Sequence, residues 1–205
     1  MSDDWKIRFG TAGTSDSFAA QGYKTSLEVP EYTAKMGLNA FEYQCGRGVR
    51  LGLDPANRYV LFFGLIRDYK GLDLLLDVWA QLRRAGRTEG RRLIVAGEFY
   101  TAREPYLNRI ADNGLQDEVL LHDRFIPDDD VKYYFSAADF VVQPYKTATQ
   151  SGVTQIAYQF CVPMVVTKVG GLAEIVPDGR VGYVCEPTPE GVAGAIERMY
   201  EGDTL

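Results

Sequence analysis

The sequence predicts an α/β protein: a doubly wound parallel sheet over residues 51–205, preceded by a βαβ appendage over residues 1–50. Two observations carry this. From residue 58 onward, apolar runs of strand length alternate with segments whose apolar residues recur at helical spacing. Each apolar run is nearly continuous rather than alternating with polar residues, as strands buried on both faces require.

The elements follow in order. RYVLFFGLI, from residue 58, is rich in aromatic and β-branched residues and reads as a strand. GLDLLLDVWAQLRRAG places Leu72, Leu75, Leu76, Trp79 and Leu82 at helical spacing. RRLIVAGEF is a second strand. AREPYLNRIADNGL is a helix with Pro105 in its first turn, where a missing N–H costs nothing. EVLLHDRF is a third strand. IPDDDVKYYFSAAD opens a helix with Asp128, Asp129 and Asp130, suited to an N-cap and first turn. FVVQPY and QSGVTQIAYQF are the fourth strand and helix. PMVVTKV and GYVCEP are the fifth and sixth strands, and TPEGVAGAIERMYEG is a closing helix capped by Thr188. Right-handed crossovers between such strands give a Rossmann-like sheet with helices on both faces.

The first fifty residues read as one smaller unit. KIRFGTAGT is a strand running into a Gly/Thr/Ser loop, KTSLEVPEYTAKMG a helix, and LNAFEYQCGRG a second strand. The unit is too small to fold alone, and the boundary falls at residues 49–54.

The composition is that of a soluble globular chain, 46% hydrophobic and 24% charged. A net charge of −6 leaves no basic surplus for nucleic acid or an anionic membrane. No apolar run is long enough to span a bilayer, and MSDDWKIRFG lacks the features of a signal peptide, so a cytoplasmic location is expected. Cys45, Cys161 and Cys185 are widely spaced, without a CxxC pair, and read as buried reduced thiols. With His122 the single histidine, and that in a strand pattern, no metal site is expected.

Ligands of doubly wound sheets bind beyond the carboxyl ends of the strands. GLIRDYKG, after the first strand, offers Gly64 and Gly71 for close backbone approach, and Arg67 and Lys70 as two cations. A fork from Arg and a point charge from Lys suit a diphosphate, although a solvated loop has the same composition. After the fourth strand, Thr147, Thr149, Gln150, Ser151, Gly152 and Val153 crowd the start of a helix, whose free N–H groups make an anion site or a plain Ser/Gln cap. The two loops flank the switch point of the commonest strand order, which favours phosphate. Gly170, Gly171 and Glu174 follow the fifth strand, and Glu174 suits sugar hydroxyls or a surface cap. Phe99 and Tyr100 follow the second strand and suit a base pocket or a core margin. A P-loop and a G-x-G-x-x-G after the first strand are both missing.

FFGLIRDYKGLDLLL, LIVAGEF, FSAADFVVQPY, QSGVTQIAYQFCVPMVVTKVGGLAEIV and VGYV together resemble the C-terminal domain of the group 1 retaining GT-B glycosyltransferases. The resemblance implies a nucleotide diphosphate sugar as donor, glycosyl transfer with retention, no required metal or cofactor, and diphosphate contacts from the first loop and the fourth helix. Lys70 matches the family lysine. Leu65 occupies the usual arginine position, and Arg67 lies two residues beyond it. Two family glutamates fall here on Ala148 and Ile156, with Gln150 and Gln155 nearby to replace them. The family's N-terminal acceptor-binding domain has no counterpart, so a separate acceptor domain or chain is the expected partner. Residues 7–49 instead resemble the opening strand–helix–strand of endonuclease IV-like TIM barrels, which include sugar-phosphate isomerases. The join therefore reads as a hybrid of two fold fragments, a chimera made by engineering, recombination or gene assembly. Three readings follow: a glycosyltransferase incomplete by itself, a nucleotide-sugar-binding module, or a hybrid without activity.

Overall fold

The structure is a computed structural model, which describes residues 48–201. The strand–helix–strand expectation and the barrel resemblance for the first 47 residues, and Cys45 with them, lie outside the described residues.

Six strands form one parallel sheet in the order β3-β2-β1-β4-β5-β6. They are β1 (Arg58–Phe63), β2 (Arg91–Ala96), β3 (Val119–His122), β4 (Phe140–Gln143), β5 (Met164–Thr167) and β6 (Gly182–Cys185). The connecting helices are α1 (Leu72–Arg84), α2 (Glu104–Asp112), α3 (Asp128–Ala137), α4 (Gly152–Gln159) and α5 (Leu172–Ile175), with α6 (Pro189–Glu201) closing the described chain. β1 is central, pairing Val60 with Leu93 of β2 and with Phe140 of β4. The order reverses between β1 and β4, so the loops after these two strands open on the same crevice.

Side chains alternate across the pleat and fill two cores. Val60, Phe62, Leu93 and Val95 point to the face covered by α1, α2 and α6, where Leu75, Trp79, Ile110 and Ile196 pack. Tyr59, Leu61, Phe63 and Ile94 point to the other face, against Tyr134, Phe135, Val153 and Ala157 of α3 and α4. The continuous apolar strands of the sequence are the consequence of this two-sided burial. The largest side chain of the first core, Trp79, keeps its indole N–H paired with Glu118 at 3.0 Å.

Helix ends follow the sequence with one correction. Thr188 caps α6, its hydroxyl accepting the Gly191 N–H at 3.1 Å. Pro105 stands in the first turn of α2. The aspartates of α3 occupy its first turn, but the N-cap is Pro127 and no side chain caps it. A residue fixed by its ring precedes the three carboxylates, which leaves them to interact with the helix dipole instead. Cys161 is exposed rather than buried; it lies in the turn just after α4, at a positive φ of 53°. Cys185 is partly buried, and burial pushes its thiol up to about 12. His122 is structural: its Nδ1 lies 2.8 Å from the Tyr134 hydroxyl, and burial, then Arg124, holds its pKa low. No helix among the described residues is long and apolar enough to cross a membrane.

Candidate active site

The site is built where the loop after β1 meets the segment after β4. Asp68–Lys70 is a single 3-10 turn closed by Gly71, whose φ is 71°. A Cβ on Gly71 would collide with the Pro144 carbonyl, so glycine is needed for the two segments to approach. The Tyr69 carbonyl accepts the Lys146 N–H at 2.7 Å across the same junction. The loop after β5 closes the third side. Its Gly171 N–H donates to the Thr149 carbonyl at 3.2 Å, and a Cβ on Gly170 would collide with the Ala148 carbonyl.

Lys70 lies at the centre. It is 8% exposed. Its Nζ lies 5.7 Å from the centroid of the Tyr145 ring. A Cβ on Gly64 would stand 3.0 Å from that Nζ and 3.5 Å from the Val153 side chain. Three residues singled out in the sequence, Gly64, Lys70 and Val153, therefore converge. Among the described residues, no carboxylate or hydrogen-bond acceptor pairs with the Lys70 ammonium. Burial, with the Arg67 charge second, brings its pKa down to about 8. Such an ammonium is partly desolvated and unneutralised, which favours an incoming anion.

The start of α4 adds donors. Ser151 has extended N-cap geometry, yet its side chain caps nothing. Its hydroxyl lies 3.3 Å from that of the buried Tyr145. The amides of the first turn, beginning at Gly152 and Val153, are therefore left without a side-chain acceptor. A buried polar floor lies below: Thr154 donates to Gln143 Oε1 at 3.1 Å, and Thr167 donates to the Tyr145 carbonyl at 2.6 Å.

A family profile described as Glycosyl transferases group 1 matches residues 57–202. The chain belongs to this glycosyltransferase family. A D-inositol 3-phosphate glycosyltransferase of Pseudarthrobacter chlorophenolicus is 30% identical over 152 residues, covering 73% of this chain and 36% of that protein. The chain thus spans little more than a third of the length of such relatives. The fold is shared with the C-terminal domain of the group 1 glycosyltransferase LpcC from Francisella tularensis, at a TM-score of 0.64 and 18% identity, covering 78% of this chain and 84% of that one. It is shared also with Anabaena HepE, solved in complex with UDP and glucose, at a TM-score of 0.63 and 20% identity over 90% of this chain and 50% of that one.

The remaining sequence candidates divide. Arg67 is exposed, with its guanidinium 5.3 Å from the centroid of the Tyr100 ring. Tyr100 is 57% exposed, whereas Phe99 is half-buried and packs on Tyr106 with centroids 5.4 Å apart. Of the two aromatics after β2, the structure thus places Phe99 at the core margin and Tyr100 at the surface. Gln150, Gln155 and Glu174 carry exposed side chains. Ala148 and Ile156, at the positions of the two family glutamates, pack against the second core. Tyr145, Gln143, Thr154 and Thr167 were not among the sequence candidates. The one available signal was a glutamine inside the otherwise apolar run FVVQ.

Proposed function

We propose that this chain is the donor half of a group 1 glycosyltransferase, binding a nucleotide diphosphate sugar between the loop after β1 and the start of α4. The observation that carries the reading is the buried, unpaired Lys70 ammonium beside Gly64 and Val153. Lys70 takes one phosphate and the uncapped amides from Gly152 onward take the other, with Gln150 and Ser151 at the rim. Arg67 reaches the outer oxygens. Tyr100 faces the nucleoside, and Gln155, Gly170, Gly171 and Glu174 face the sugar. The leaving diphosphate gains charge as the glycosidic bond breaks, and preorganised donors in a dry site stabilise that charge. Retention, and stabilisation of the leaving group without a metal, belong to this proposal. The donor half lies within residues 51–205, and a further domain or chain supplies the acceptor wall. The greater length of the relatives supports this last point.

Calorimetric titration with UDP, GDP and ADP and their hexose conjugates tests the reading. One diphosphate nucleotide is expected to saturate the chain and raise its melting temperature. Lys70→Ala is expected to weaken that binding roughly 10- to 100-fold, the worth of one charge-assisted hydrogen bond, and more than Glu174→Ala. A folded chain that binds nothing in the panel, or an unaffected Lys70 variant, would refute the site.

A second reading, a binding module that transfers nothing, is favoured by Ala148 and Ile156, which put apolar side chains at both glutamate positions. Donor hydrolysis or transfer by the saturated chain separates the two.

A further inference from the structure

The turn that carries Lys70 is held from its outer side by carboxylates that Lys70 does not touch. Asp68 Oδ1 accepts from Thr101 Oγ1 at 2.8 Å and from the Tyr106 hydroxyl at 3.1 Å. Tyr106 is a buried residue of α2, so its hydroxyl is a fixed anchor. The Asp68 carbonyl accepts the Gly71 N–H at 3.2 Å and closes the turn around Lys70. On the other flank, Lys146 Nζ donates to Asp73 at 2.6 Å. Asp68, Asp73, Thr101, Tyr106, Arg109 and Lys146 all line one cavity of about 420 Å³, and Lys70 does not. The loop thus keeps its acids on one side and its unpaired ammonium on the other.

We propose that Asp68 is a positioning residue for the phosphate loop: gripped by Thr101 and Tyr106, it fixes the turn so that the Lys70 ammonium stays buried over Tyr145, without a carboxylate partner. The functional meaning rests on the donor-site reading above. The positional claim rests on the loop geometry.

The physical reason is that a lysine on a loosened loop extends its flexible stem and returns its charge to water. The Asp68 carboxylate makes charge-assisted bonds to two hydroxyls, which are stronger than neutral ones. Those bonds, from Thr101 first and then Tyr106, hold its pKa below the ordinary carboxylate value, with Lys146 adding to the effect against the opposing pull of desolvation. Burial, then the Asp68 bond, pushes the Tyr106 phenol up to about 12, so it remains a donor. The charged and titratable groups facing Lys70 are Arg67 on its own loop and Tyr145 from the segment after β4. Those facing Asp68 are Tyr106 and Lys146.

Lys70's own protonation reports where its ammonium sits. The test is an NMR titration of the lysine side-chain resonances in the full chain. The wild type is compared with Asp68→Ala and with the double variant Thr101→Val, Tyr106→Phe, which leaves the loop sequence intact. Wild-type Lys70 is expected to titrate at about 8. In both variants the midpoint is expected to climb toward the ordinary lysine value of about 10.4. Affinity for UDP or pyrophosphate at neutral pH is expected to fall about tenfold alongside. A folded variant that loses thermal stability while Lys70 keeps its midpoint shows a merely structural role and overturns the proposal. Should Asp68→Ala not fold, the double variant decides. Should the wild type bind neither UDP nor pyrophosphate, the donor-site reading falls, and the Lys70 midpoints still decide the role of Asp68.

Discussion

Lys70 is 8% exposed, its ammonium lies over an aromatic ring, and no carboxylate among the described residues pairs with it. Its charged form is disfavoured in the folded chain, which lowers its pKa to about 8, against about 10.4 in the unfolded chain. The folded state therefore binds fewer protons than the unfolded state between those two values. Stability gains from this group as pH rises through that window, and the cost is fully present below it. A shift of this size corresponds to roughly 3 kcal/mol at neutral pH. Lys70→Met keeps the stem and removes the charge. It is expected to be more stable than the wild type at neutral pH by roughly 1–3 kcal/mol, with the gap closing above about pH 10. Urea denaturation across this range checks both the sign and the window. A gain in stability together with a loss of diphosphate binding would mark Lys70 as a functional residue the fold tolerates rather than needs.

At the scale of elements, the two helix starts near each other in sequence logic are used differently. Thr188 spends its hydroxyl on α6, accepting the Gly191 N–H, so Thr188→Ala is expected to cost about 1 kcal/mol, read from the urea midpoint. Ser151 has the same residue chemistry and an extended N-cap conformation, yet its hydroxyl meets Tyr145 and leaves α4 uncapped. A cap that was legible in both segments is therefore made in only one. The difference is the buried phenol brought in by β4. The same tertiary effect sorts the aromatics after β2, since Tyr106 of α2 takes Phe99 into the core margin and Tyr100 is left beneath Arg67.

At the scale of the molecule, residues 48–201 contain a six-stranded sheet with a filled core on each face. A fragment limited to these residues is expected to fold and to unfold in a single cooperative transition, with circular dichroism and tryptophan fluorescence midpoints coinciding. Separate midpoints, or a fragment without a transition, would overturn this expectation.

The strand and helix alternation, the two-sided burial and the two candidate loops were readable along the chain, because they are written in period, composition and turn residues over short stretches. Gly64, Lys70 and Val153 stood out as candidates from their places after the first and fourth strands, and the structure brings them together. The burial of Lys70 without a partner, Tyr145 beneath it, and the grip of Thr101 and Tyr106 on Asp68 came only with the fold. It likewise decided that Cys161 faces solvent. These contacts join residues from different crossovers, so they depend on the strand order β3-β2-β1-β4-β5-β6, which sets β1 beside both β2 and β4. No local pattern encodes which side chains meet at the carboxyl edge. That follows from which strands are neighbours and how closely a glycine such as Gly71 lets their loops approach.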